Sequence, residues 1–164
     1  MSHAPEKDAY TDAMPDAEPE PISPEMEALA DDVIDYGLDA LAEKGSFSPS
    51  LAVEDESGTR VMLSFDDEEV EECPEAARGI VARAARGKAP IKGLPGAPVR
   101  YAIAYDGAVR EVDGGPYVSA LLVEYGERGL SSAYSAYLRY ENPGRPQEFV
   151  CTDPAAAGEA ELLV

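Results

Sequence analysis

The chain has 164 residues, 45% of them apolar, which is enough for one domain with its own core. Its net charge of −20 argues against a surface for DNA, RNA or anionic lipid, all of which are held by lysine and arginine. Two cysteines and one histidine are too few for a disulfide framework, a Cys/His zinc site or a histidine-activated nucleophile.

Residues 1–22 contain Pro5, Pro15, Pro19 and Pro21, six acids and one base, and are expected to form a disordered acidic tail. They show no apolar segment behind a basic one, so no signal peptide is expected. No apolar run approaches the roughly 20 residues of a membrane helix, and a cytoplasmic location follows as the expectation. Order is predicted to begin at Ser23-Pro24, a serine cap followed by proline at the first helical position. Met26, Leu29, Val33, Ile34, Gly37 and Leu41 recur at helical spacing and Gly45 supplies the stop. The opposite face carries Glu27, Asp31, Asp32, Asp35, Asp39 and Glu43.

Phe47 to Phe65 reads as a β-hairpin, with Leu51 and Val53 on one arm, Val61 and Leu63 on the other, and a turn over Asp55–Gly58. A second helix is predicted from about Pro74 to Arg86, closed by Gly87. Beyond the Gly/Pro-rich loop at 93–98 come four segments rich in strand formers. VRYAIAY (99–105) ends at Asp106-Gly107, a turn signal. YVSALLVEY (117–125) and SSAYSAYLRYE (131–141) flank a turn over Gly126–Gly129, and QEFVCT (147–152) is a short last strand. DPAAAGEAELLV (153–164) reads as a C-terminal tail with an apolar end able to dock. The expected fold is therefore a single α+β domain over 23–152, two helices packed on an antiparallel sheet. This order of helix, hairpin, helix and meander is similar to that of the roadblock, longin and profilin-like group, and the similarity implies an adaptor or binding module.

Charge is unevenly spread. Residues 23–72 hold sixteen acids and two bases, whereas residues 73–110 hold two acids and seven bases. The densest stretch is Asp66–Glu72, six carboxylates in seven residues, just ahead of the second helix. Acids before a helix and Arg83, Arg86 and Lys88 at its far end both complement the macrodipole, which accounts for the pattern without a ligand. A calcium loop would need a glycine at its sixth position and has none here, so no metal is expected. Imitation of a nucleic-acid phosphate row is the third reading of these acids. GKAPIKGLPGAP (87–98) follows a helix C-terminus, the wrong end for an anion, and reads as a connecting loop.

No histidine- or cysteine-based catalytic constellation and no cofactor motif is read in the sequence, and abundant acids leave carboxylate-pair catalysis open, although the chain is short for a substrate cleft. Cys73 and Cys151 are expected to be inert core thiols. Tyrosines cluster between residues 101 and 140. Tyr101, Tyr105, Tyr134 and Tyr140 share faces with aliphatic residues, while Tyr137 lies between Ser135 and Arg139 and is the expected exposed contact. The sequence thus points to a non-catalytic interaction module of bacterial composition, an acidic adaptor, immunity or inhibitor-like protein engaging a basic protein. Asp31, Asp35, Asp39, Asp67, Glu68 and Tyr137 are its candidate contacts, and self-association of the acidic helix with the basic island is a further option. The alternative is a small-molecule-binding domain or small enzyme with a cavity between sheet and helices, Glu124 or Tyr137 standing at its rim.

Overall fold

The computed structural model describes residues 10–12, 20–65 and 73–164. The Asp66–Glu72 run, with Asp67 and Glu68, lies outside the described residues.

Helix α1 (Pro24–Lys44) begins where the sequence predicts, with the Ser23 side chain accepting the Met26 N–H at 3.1 Å. It ends at Gly45, whose φ of 80° suits a residue without a side chain. The Leu41 carbonyl left over at that end accepts two N–H groups, from Gly45 at 3.0 Å and from Gly144 at 2.8 Å. Strands β2 (Ser50–Asp55) and β3 (Arg60–Ser64) form the predicted hairpin, with Leu51 opposite Leu63 and Val53 opposite Val61. Asp55 organises the turn. Its Oδ1 accepts from the Ser57 hydroxyl at 2.7 Å and from the Ser57 and Thr59 N–H groups at 3.0 Å, and its Oδ2 accepts from the Gly96 N–H at 3.0 Å. These bonds, that of the Ser57 hydroxyl foremost, hold the Asp55 carboxyl below its ordinary range.

Helix α2 (Cys73–Ala85) closes through Gly87, whose N–H reaches the Ala84 carbonyl at 3.0 Å. The remaining strands are β4 (Pro98–Arg110), β5 (Val118–Glu127), β6 (Ala133–Glu141), β7 (Val150–Cys151) and β8 (Ala155–Ala160), with β1 (Tyr10–Asp12) near the start of the chain. The sheet runs β3-β2-β4-β5-β6-β7, β8 pairs with β6, and all these pairings are antiparallel. β1 joins β4 in parallel.

The helices cover opposite faces of this sheet. Against α1 lie Ala52, Ala102, Ala104, Leu121, Val123 and Leu138, and against α2 lie Leu51, Val53, Tyr101, Ile103, Tyr105 and Leu122. β2 is consequently buried along its whole length, although only Leu51 and Val53 look like core in the sequence. The three alanines on the α1 side let that helix approach closely. A Cβ on Gly37 would already lie 3.1 Å from both Leu121 Cδ1 and Phe47 Cζ. Each fully buried leucine here contributes about 1.5–3 kcal/mol of transfer free energy.

Four expectations are corrected. Asp106-Gly107 is not a turn: Asp106 pairs with Leu121 and Gly107 with Ala120 inside a ladder that continues to Val109–Val118. The Asp106 carboxylate is instead satisfied by the Tyr140 hydroxyl at 2.6 Å, and burial raises its pKa. Gly126 is likewise within β5, opposite Tyr101. Its missing side chain makes room, since a Cβ would sit 2.7 Å from Leu162 Cδ1. In QEFVCT only Val150–Cys151 is strand. Finally, the segment 153–164 contains β8, whereas its apolar end docks as the sequence suggests, with Leu162, Leu163 and Val164 against the α2-side core.

Structure also reaches into the expected N-terminal tail. Besides β1, Glu20 Oε1 accepts from the Tyr134 hydroxyl at 2.7 Å and from the Ser131 hydroxyl and N–H at 2.8 and 2.9 Å. The Tyr134 bond, then those of Ser131, lower the Glu20 pKa, so this anchor strengthens the fold above the ordinary glutamate pKa. Its contribution is lost as pH falls through the lowered value. We expect the protection of the Ser131 amide, measured against its intrinsic exchange rate at each pH, to fall on acidification in the wild type, and E20Q to remove that dependence. An unchanged profile in E20Q would show that Glu20 is not the titrating group.

Candidate functional site

Helical spacing places Glu27, Asp31, Asp35 and Asp39 on one outward stripe of α1, all exposed. Partial burial, and then the nearby charges of Glu27, Asp35 and Asp32, raise the Asp31 pKa. Among the described residues no cation pairs with Asp31, Asp35 or Asp39. Asp32 is different, because it pairs with Arg60 of β3.

That pair opens a chain of ionic contacts under α1. Arg60 Nη2 lies 3.3 Å from Glu54 Oε2, and Glu54 also pairs with Arg100. Arg100 Nε lies 3.5 Å from Glu127 Oε1, and Glu127 accepts the Ser23 N–H and hydroxyl at 2.8 and 2.7 Å. Glu54, Arg100 and Glu127 thus strap the start of α1 to the sheet, and that is their structural role. The network fixes the orientation of the acidic stripe.

Two apolar side chains flank it. Tyr36 is 46% exposed and Met62 39% exposed. The Tyr36 ring packs edge-on against Phe47, with centroids 5.9 Å apart, and its hydroxyl lies 3.3 Å from Ser64 Oγ. Met62 lies opposite Ala52, so it faces the α1 side, between Arg60 and Ser64, the residues that touch Asp32 and Tyr36. An exposed tyrosine and methionine within a charged border have the composition of a recognition surface. The sequence offered one signal for this: Tyr36 is the lone aromatic on a helix face otherwise made of acids.

The predicted site residues separate into three groups. Asp31, Asp35 and Asp39 come together on the exposed stripe. Asp67 and Glu68 fall outside the described residues. Tyr137 is not an exposed contact, being only 5% exposed within the α2-side core, where its hydroxyl donates to Glu111 Oε2 at 2.6 Å. Burial, then that carboxylate, push its pKa up to about 12. Glu124 lines none of the cavities formed among the described residues. It is 8% exposed, and its Oε1 accepts from Arg78 Nε at 3.0 Å while Oε2 accepts from the Tyr105 hydroxyl at 3.2 Å. Cys151, expected in the core, is an exposed free thiol on β7, with its pKa raised by partial burial and by Asp153.

The other face has the opposite character. Between β3 and α2 runs a groove of about 270 Å³, with Leu63, Ile80 and Ile91 among its apolar lining and Arg83 and Lys92 as its cations. Among the described residues neither cation is held in an ion pair, in contrast to Arg78 and Arg100.

No family model, curated protein or solved structure matches the chain. Among the described residues no helix is long and apolar enough to cross a membrane.

Proposed function

We propose that this chain is a non-catalytic interaction module, an adaptor, immunity or inhibitor-like protein that engages a basic protein through the outer face of α1. The observation that carries this reading is that the exposed Tyr36 and Met62 border a helix whose outer face holds Asp31, Asp35 and Asp39, none of them ion-paired among the described residues. Exposed ion pairs are worth about 0.2–1 kcal/mol each, so the acids would steer and orient a cationic partner. The tyrosine and methionine would supply the desolvated centre that holds it. A cytoplasmic setting in a bacterium belongs to the same reading, and a free Cys151 thiol suits a reducing compartment.

The test compares three immobilised forms in a bacterial lysate under a salt gradient. They are the wild type, a D31K/D35K/D39K variant, and a control with E141K, E148K and E159K, which makes the same charge change on exposed residues elsewhere. We expect one basic protein to be retained stoichiometrically by the wild type and the control and lost by the α1 variant. Equal loss in the control would reduce the effect to net charge and overturn the reading.

A further inference from the structure

The acidic stripe and the basic groove are separated by one structural feature, the outer edge of β3. Among the described residues β3 pairs with β2 alone and stands at the end of the sheet. Its bonding phase follows from two contacts: Phe65 N–H reaches the Pro49 carbonyl at 2.9 Å, and Asp55 N–H reaches the Thr59 carbonyl at 3.0 Å. Odd-numbered residues of this arm therefore direct their main-chain groups inward. By the two-residue period, the N–H and carbonyl groups of Arg60, Met62 and Ser64 turn outward. An edge of this kind is a template for another strand unless it is covered or charged.

We propose that β3 is a docking edge for an extended segment of the partner protein, added as a further antiparallel strand. This rests on the interaction-module reading and specifies its mode. Along an added strand, side chains alternate between the two faces of the sheet. Those facing α1 meet Tyr36 and Met62 with Asp35 and Asp39 nearby on the helix, an environment for lysine or arginine. Those facing α2 meet Leu63, Ile80 and Ile91 with Arg83 and Lys92, an environment for aliphatic and acidic residues. The matching segment alternates basic residues with aliphatic and acidic ones. A second copy of this chain is the poorer occupant: the two-fold of an antiparallel β3–β3 pair keeps each helix on its own face, setting acidic stripe against acidic stripe and basic groove against basic groove.

The probe is a short synthetic peptide that alternates lysine with leucine and glutamate, tested by amide hydrogen exchange on the full chain. Binding is expected to slow exchange at Met62 and Ser64 at least about tenfold, with no comparable change at the inward-facing Leu63. M62P separates recognition from folding, because the outward N–H it removes is unused in the fold and proline is tolerated on the open side of an edge strand. M62A removes the same side chain but keeps that N–H, so M62P should keep the melting temperature of M62A and lose the peptide that M62A still binds. A peptide N-methylated at alternate amides should also fail to bind, and R83E/K92E should weaken the unmodified one. Protection at Leu63 and at Met62 alike would indicate general stiffening and overturn the proposal, as would M62P that folds and binds normally. A doubled mass of the chain without peptide, lost in M62P, would assign the edge to a second copy and overturn the proposed occupant. With the lysate partner, capture lost on α1 reversal but equal in M62A and M62P upholds the interaction module and removes strand addition. The converse pattern upholds strand addition and removes the acidic-stripe reading.

Discussion

R78A is expected to destabilise the fold by about 3–5 kcal/mol, because it strands a buried carboxylate. The Glu124 and Arg78 side chains are only 11% and 24% exposed, and the guanidinium contacts both carboxylate oxygens. Tyr105 donates to the same group at 3.2 Å but brings no charge. A lone ionised carboxylate in that position must lose its charge, draw in water or open the packing between α2 and β5. Replacing both partners by apolar residues of similar volume, as in R78M/E124L, removes the stranded charge and should recover most of the loss. Urea unfolding of the single and paired variants tests this through the midpoint at constant m-value. A loss below about 1 kcal/mol for R78A would place the pair with ordinary surface contacts.

L121A is expected to cost about 2–5 kcal/mol, the range for emptying a leucine-sized volume in a packed core. Its size depends on how far α1 can settle into the gap, and Gly37 offers a way to fill it. In the wild type, G37A gains up to about 1 kcal/mol of helix propensity but puts a methyl group against a tight wall. That methyl would lie 3.1 Å from Leu121 Cδ1 and from Phe47 Cζ. With Leu121 shortened, one of these neighbours is gone. G37A should therefore stabilise L121A by about 1 kcal/mol more than it stabilises the wild type. A four-variant cycle from denaturant melts measures the difference. Additivity within about 0.5 kcal/mol would mean that the two positions do not feel each other.

The parts of this fold that were legible are those set by local chemistry. Ser23, Pro24 and Gly45 mark α1 because capping depends on a few adjacent residues. The hairpin was legible because alternation and turn chemistry agree within one short stretch. The errors arise where tertiary contacts override a local signal. Asp106-Gly107 resembles a turn only until Leu121 and Ala120 are placed opposite it. Tyr137 reads as outward-facing because it lies out of phase with Tyr134 and Leu138. That inference assumes a sheet with one wet face, whereas helices on both faces bury both phases. β8 is nearly invisible, since Ala155, Ala156 and Ala157 carry little strand propensity and acquire their conformation from β6. At the candidate site, the acidic stripe followed from periodicity. Tyr36 and Met62 did not, because their proximity depends on how α1 lies along β3.

The strap between Ser23 and Glu127 joins residues 104 positions apart. A ribosome adds about 5–20 residues per second, so α1 emerges roughly 5–20 s before the strand that secures its first turn. Through most of that interval Met26, Leu29, Val33 and Leu41 lack the cover of Leu121, Val123 and Leu138. The carboxylates on the opposite side of the helix keep such nascent chains apart through mutual repulsion. The stripe that we propose for a partner after folding thus protects the chain before it, and the penalty for neutralising it is expected on the yield of soluble protein more than on the melting temperature.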